Sequence, residues 1–253
     1  MHVLDPKKNA AFEFCEAELY LAYKEGKLVG RVAAIINHKA NKQWDTKAVR
    51  FGWIDFIDDI EVSRALLDAV GNYGKAHGMD NIIGPLGFTD MDPEGMLTDG
   101  FDQLGTMATL YNYPYYPRHM QELGGWEKDN DYVEYKLIVP KEMPEKYMKV
   151  AQMIEKRYDL HVRAMTRREI FKDGYGHKVF EVINETFKHL YGYSELSDRQ
   201  LDQYGKMDLP FVDLNWVPIV EDWSVTPHKL VGVGITIPSL SRALQKLHRG
   251  RLW

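Results

Sequence analysis

Three strand-type runs precede the first amphipathic helix, and that order constrains the fold more than any other feature of the chain. From Glu18 to Tyr23 and from Leu28 to Asn37 apolar and β-branched residues predominate, with Lys24-Glu25-Gly26-Lys27 between them, which predicts a β-hairpin. Ala48–Ile57, carrying Phe51, Trp53, Ile54, Phe56 and Ile57, predicts a third strand. Val62 to His77 then places apolar residues at 62, 65, 66, 69, 70 and 73, one helical face, with Gly78 just past its end. Asn81-Ile82-Ile83-Gly84 follows as a short run suited to a strand returning parallel to the third. The implied architecture is α/β in composition and α+β in organisation, with a mixed sheet.

Residues 84–117 are rich in Gly, Pro, Asp and aromatics without a regular period, and long irregular segments of this kind often carry function. Arg118–Leu123 predicts a short helix and Tyr132–Val139 alternates like a strand. Pro140 and Pro144 mark a boundary, so the expected units are 1–140 and 141–253. In the second, a helix at about Glu145–Tyr158, a strand at Leu160–Met165 and a helix around His177–Leu190 lead to a strand pair, Trp216–Glu221 and Leu230–Ile237. Lys229-Leu230-Val231-Gly232 repeats Lys27-Leu28-Val29-Gly30 in the same strand-turn-strand context, which predicts an internal duplication with the second copy incomplete.

The first unit resembles the GNAT superfamily of acyl-CoA-dependent N-acyltransferases. The resemblance rests on the element order and on Tyr115-Tyr116-Pro117-Arg118-His119-Met120-Gln121-Glu122-Leu123-Gly124-Gly125-Trp126, which looks like that family's C-terminal helix and its ending. Phe51-Gly52-Trp53-Ile54-Asp55-Phe56, Gly84-Pro85-Leu86-Gly87-Phe88-Thr89-Asp90, Asn112-Tyr113-Pro114-Tyr115-Tyr116 and Pro238-Ser239-Leu240-Ser241 extend it to a bacterial group of tandem-GNAT proteins over nearly the whole chain. It implies a GNAT-like fold with one complete unit and part of a second, and acyl transfer from an acyl-CoA to a small amine or amino-acid-like acceptor.

The superfamily surrounds the CoA pyrophosphate with a glycine-containing loop at a helix N-terminus, where backbone N–H groups and the helix dipole meet the anion. Here the corresponding stretch is Asp58-Asp59-Ile60-Glu61-Val62-Ser63-Arg64, acidic and without glycine. The first unit is therefore expected to bind no cofactor, and acetyl-CoA or another acyl-CoA is expected only with a completed second unit. The competing reading is a non-catalytic module that binds a small molecule or a partner.

Asp90 and Asp92, together with Tyr111, Tyr113 and Tyr116, are the candidate substrate-binding residues, since acids and aromatic faces suit a polar or cationic ligand. Asp55 and His119 are the candidate catalytic residues. Asp55 stands at a strand end where many superfamily members place a base for the substrate amine, and His119 is an acid/base type on a helix. The plain alternatives are loop tyrosines covering a core edge, acids decorating a helix N-terminus, and a hydrogen-bonded structural histidine.

No His, Cys and Asp spacing suits a metal, and Gly232-x-Gly234 lies inside a strand, so no metal and no nicotinamide cofactor are expected. A formal charge of −5 argues against a nucleic-acid partner. The Arg242–Arg251 basic stretch reads as a solvated helix face. The single cysteine, Cys15, excludes an intramolecular disulfide, and without an apolar run of membrane length or a leader the expected setting is cytoplasmic, with no membrane partner. An open Leu230–Ile237 edge would need cover, from the chain itself or from a second copy in a homo-oligomer.

Overall fold

A computed structural model describes residues 3–106, 109–208 and 212–247. The end of the basic stretch, from 248 onward, lies outside the described residues. The chain divides into two compact units, one of Met1–Asp131 with Leu190–Ser194 and the segment from Ser239, the other of Tyr132–His189 with Glu195–Pro238.

In the first unit β1 (Cys15–Lys24) and β2 (Lys27–Asn37) form the hairpin, a short α1 (His38–Gln43) turns the chain, and β3 (Ala48–Phe56) adds antiparallel to β2. Helix α2 (Ile60–Ala76) crosses back so that β4 (Asn81–Ile83) lies parallel to β3, in the order β1-β2-β3-β4. Val62, Leu66 and Val70, from the apolar face that the period predicts, and Leu67 beside it meet Val32, Ala34, Ile36, Val49, Phe51 and Phe56 of the sheet, while Ala65 of that face is exposed. The opposite face is covered by a smaller cluster of Ala11, Cys15, Ala33, Ile35 and Phe88. Helix α3 (Tyr115–Leu123) starts three residues earlier than its apolar pattern suggests. It ends in Gly124 and Gly125, both at positive φ (67° and 74°), and the reversal they permit brings Trp126 edge-on to Phe51 at 5.6 Å.

The second unit contains α4 (Glu145–Tyr158), β5 (Leu160–Ala164), α5 (Arg167–Phe171), α6 (Tyr175–Phe187), α7 (Asp198–Asp208), β6 (Pro218–Asp222) and β7 (Lys229–Val233). Its antiparallel sheet runs β5-β6-β7, and Val179 and Ile183 of α6 pack with Ile219 and Leu230. Thr166 caps α5 through a reciprocal bond with Glu169, which turns the charged 166–172 segment into a helix that the apolar pattern did not predict. A further short helix, α8 (Ser241–Lys246), carries the start of the basic stretch.

The two hairpins share their register. Lys24 faces Lys27 and Tyr23 faces Leu28, then a bulge leaves Val29 out and Ala22 faces Gly30. In the second hairpin Asp222 faces Lys229, Glu221 faces Leu230, and the ladder resumes with Val220 facing Gly232. The repeated tetrapeptide thus sits on the same bulge in both units, although Leu28 is exposed and Leu230 buried.

Tyr132–Val139 forms no strand. Tyr135, Leu137, Ile138 and Val139 stand exposed, because alternation prepares one face of a strand for burial but supplies no ladder to join. Beyond Val233 the pairing continues irregularly, with Gly234 donating to the Pro218 carbonyl and Thr236 to that of Trp216. Among the described residues no strand pairs with the outer edge of β7. No helix among them is long and apolar enough to cross a membrane.

Candidate functional site

Where β3 ends, a bulge re-aims its side chains. The β2–β3 register shifts between Arg31 and Ala33, and Trp53 adopts a positive φ of 47°. Asp55 is thereby set beside Arg31, whose Nε and Nη2 donate to Oδ2 at 2.9 and 2.5 Å. Helix α3 closes on this strand end through two tyrosines. Tyr115 donates to the Phe56 carbonyl at 2.7 Å, and Tyr116 donates to Asp55 Oδ1 at 3.1 Å while accepting from the Phe56 N–H at 3.4 Å. The Tyr116 ring stacks on Phe56 at 4.2 Å, and burial pushes its phenol pKa upward, so it remains a donor. Tyr113 stacks on Tyr115 at 5.6 Å and Tyr111 meets Tyr113 edge-on at 6.2 Å, forming an aromatic surface that is exposed at 111 and 113.

His119 lies beneath it, 2% exposed and stacked on Phe56. Its Nδ1 is 2.9 Å from Ser63 Oγ in the first turn of α2, and its Nε2 is 2.9 Å from Asp58 Oδ1. Ser63 Oγ is also placed to donate to the Ile60 carbonyl at 3.1 Å. That arrangement serves either charge state of the ring. With Nδ1 bare, the hydroxyl donates to it; with Nδ1 protonated, the hydroxyl rotates to Ile60 and accepts. Asp58 also takes Arg118, and the bond from His119 holds its pKa below the usual carboxylate value. A neighbouring carboxylate, Asp59, caps α2 by accepting from the Glu61 N–H at 3.0 Å, and Lys24 bridges Asp59 and Glu61 at 2.6 and 3.2 Å.

Asp90 and Asp92 belong to a second cluster, and among the described residues no hydrogen bond joins them to the tyrosines. Here Arg50, 3% exposed in the middle of β3, donates to the carbonyls of Gly87 (3.2 Å), Phe88 (3.4 Å) and Gly192 (3.0 Å). Asp92 Oδ2 accepts from the Thr89 N–H at 3.1 Å, whereas Asp90 Oδ1 is buried and meets no donor among the described residues. Burial pushes both carboxyls up to about 6. It also pushes the Cys15 thiol to about 12, which makes that sulfur a packed apolar group and no nucleophile. Since the folded chain holds these two carboxyls' protons to higher pH than the unfolded chain does, stability should fall as pH rises from about 4 to about 6. Thermal melts across that interval check it: Asp92→Asn should flatten the slope.

The structure therefore gathers Asp55, Tyr111, Tyr113, Tyr116 and His119 around one strand end and places Asp90 and Asp92 elsewhere. Sequence reasoning passed over Arg31, Arg50 and Ser63. A charged residue midway along the apolar run 48–57 was the available signal for Arg50; nothing local marks Ser63. Among the described residues no group of His, Cys, Asp and Glu could hold a metal ion. An open depression in the second unit, lined by Lys156, Tyr158, Asp159, Asp222, Ser224 and Val231, includes none of the candidate residues.

No protein-family model matches the chain, and no solved structure does. It is similar to a bacterial ceramide synthase of Caulobacter vibrioides, with 24% identity over 263 residues that span 98% of the chain and 63% of that protein. It is also similar to protein YghO of Escherichia coli K12, with 27% identity over 178 residues, 67% of the chain and 46% of that protein. The chain thus spans less than two thirds of the length of either relative. The first name is of an acyltransferase type.

Proposed function

We propose that the chain takes part in N-acyl transfer and that its first unit, with a GNAT-like fold, holds the amine-bearing acceptor. The observation that carries this reading is the similarity to a protein named bacterial ceramide synthase along 98% of the chain. In such a reaction the amine nitrogen bonds to the acyl carbon of a thioester, the carbon–sulfur bond breaks, and the amine gives up a proton as the thiol leaves. Asp55, 57% exposed at the side chain beside the tyrosine faces, suits an incoming ammonium group. Asp58 and His119 suit the proton released, because Ser63 can adjust its hydroxyl to a second ring proton.

Calorimetry of the whole chain with a long-chain amino alcohol, kept below its micellar concentration, tests the acceptor role. Micromolar binding that weakens about tenfold or more in Asp55→Ala is expected, a loss of about 1.4 kcal/mol. Absence of binding, or binding indifferent to Asp55 and Tyr113, would overturn it.

One observation favours the alternative of a non-catalytic binding module. The α2 N-terminus, where the superfamily takes its cofactor, is occupied by Asp59 and flanked by Glu61 and Asp58. Carboxylates there oppose a pyrophosphate. Acyl-CoA is accordingly expected not to bind the first unit in that manner, and micromolar CoA binding abolished by Asp59→Pro would contradict this.

A further inference from the structure

Strand β1 is an outer strand of the first unit's sheet, and among the described residues nothing hydrogen-bonds its outer edge. Such an edge is a row of unpaired N–H and C=O groups, which folded chains usually blunt with a proline, a bulge, a short strand or an inward-pointing charge. β1 runs ten residues without proline, and the extra residue of the nearby bulge, Val29, belongs to β2. Its side chains alternate between two faces. Tyr20 and Ala22 pack towards α2, and the strand's charges, Glu16, Glu18 and Lys24, share that face. On the other, Leu19, Leu21 and Tyr23 stand 48%, 55% and 63% exposed, with no charge among them.

We propose that β1 pairs with β1 of a second copy of this chain, antiparallel about a two-fold axis at Tyr20. Opposed residues of an antiparallel pair share a face, so two identical strands can match only even positions with even and odd with odd. Centred on Tyr20, the register sets Leu19 against Leu21, Ala17 against Tyr23, Glu18 against Ala22 and Glu16 against Lys24 of the other copy. The apolar stripe then continues from copy to copy, and the acidic end of each strand meets the basic end of the other. An axis at Leu19 would leave Glu16 and Glu18 opposite Ala22 and Tyr20, and one at Leu21 would shorten the ladder. Both charged ends have bonding capacity to spare: Lys24 gives two of its three N–H groups to Asp59 and Glu61, and Glu16 meets His38 at 2.8 Å through Oε1 alone. Being exposed, that ion pair selects the register, while backbone bonds and the leucines supply the affinity. An unrelated partner strand would not require β1 to match itself in face and in charge, and this self-match singles out a second copy.

Sedimentation equilibrium of the full chain from about 1 to about 100 µM reads the association, and a monomer–dimer equilibrium is expected. Leu19→Lys with Leu21→Lys, at two exposed positions, sets like charges opposite each other and should weaken dimerisation about tenfold or more while leaving the circular dichroism of the chain unchanged. Cysteine pairing reads the register. Leu19→Cys mixed with Leu21→Cys should oxidise to a linked dimer, since directly opposed Cα atoms lie about 4.5–5.5 Å apart. Either variant alone should link poorly, because its two cysteines are diagonal, about 7–8 Å apart. The native Cys15 is buried and does not compete. A chain monomeric at the highest concentration would leave the edge to a different partner and overturn the proposal. So would a dimer indifferent to the two lysines, as one formed through the β7 edge would be, or linking as efficient in Leu21→Cys alone as in the mixture.

Discussion

Replacing Arg163 with alanine is expected to destabilise the second unit by about 3–5 kcal/mol, the cost of leaving a buried carboxylate without its cation. Glu221, on β6, has a side chain only 2% exposed, and it receives Arg163 Nε at 2.7 Å and Nη2 at 3.0 Å in a two-pronged bond. Tyr175 at 2.7 Å and Trp223 at 3.3 Å complete its donors, and Arg163 also holds Glu169 at 2.8 Å. The bond from Arg163 draws the Glu221 pKa down to about 2 from an ordinary value of 4.5. A carboxyl depressed on folding contributes stability that is present above its unfolded pKa and lost as pH falls towards the folded one. The second unit should therefore weaken as pH drops from about 4.5 to about 2, and in Arg163→Ala that acid-induced loss should shrink. Hydrogen exchange of the β6 amides against urea measures both effects. Adding Glu221→Gln to Arg163→Ala should recover part of the loss; an additive double variant would show that the pair is not coupled.

Gly52→Ala is expected to cost the first unit about 2–3 kcal/mol, at the upper end of what overpacking usually costs, because the obstruction is backbone. A Cβ at Gly52 would lie 2.5 Å from the Leu86 carbonyl oxygen, and that loop is tied in turn by the Leu86 N–H donating to Phe51 O at 2.9 Å. Gly84 packs as closely, with its Cβ position 2.5 Å from Phe51 O. The Phe51-Gly52-Trp53 and Gly84-Pro85-Leu86-Gly87 stretches are thus two halves of one backbone contact, which fixes the start of the loop that carries Asp90 and Asp92. Urea unfolding of Gly52→Ala should show the loss, and the Trp44 indole, bonded to Tyr193 O in the segment that Arg50 ties to this loop, should shift as the loop is displaced. A variant as stable as the wild type with an unmoved indole would mean that the loop takes its place independently of β3.

The regular elements were legible because their signals are local. The apolar face of Val62–Tyr73 named the helix that covers the sheet, and the β-branched runs around Gly26 named the hairpin. Tyr132–Val139 misled for the same reason: alternation records which face a strand could bury, and an edge to pair with is a property of the whole fold. The α5 helix went unpredicted since its stability comes from the Thr166–Glu169 cap more than from an apolar face. Asp90 and Asp92 were grouped with Tyr111, Tyr113 and Tyr116 on proximity in the chain, but the acids lie within electrostatic reach of Arg50, whereas Tyr116, on α3, bonds Asp55 and Tyr111 and Tyr113 continue the aromatic surface from Tyr115.

What the sequence determined by itself is therefore the first hairpin, the third strand, the helix that covers them and the second hairpin, in their order, since these follow from periodicity and from turn chemistry within a few residues. Only the tertiary structure decided which polar groups meet. Ser63 becomes the partner of His119 across 56 residues, Asp55 that of Tyr116 across 61, and Arg50 that of Gly192 across 142. The physical reason is burial: once packing excludes water, a serine, an aspartate or an arginine must find its hydrogen bonds among whatever the fold has brought beside it.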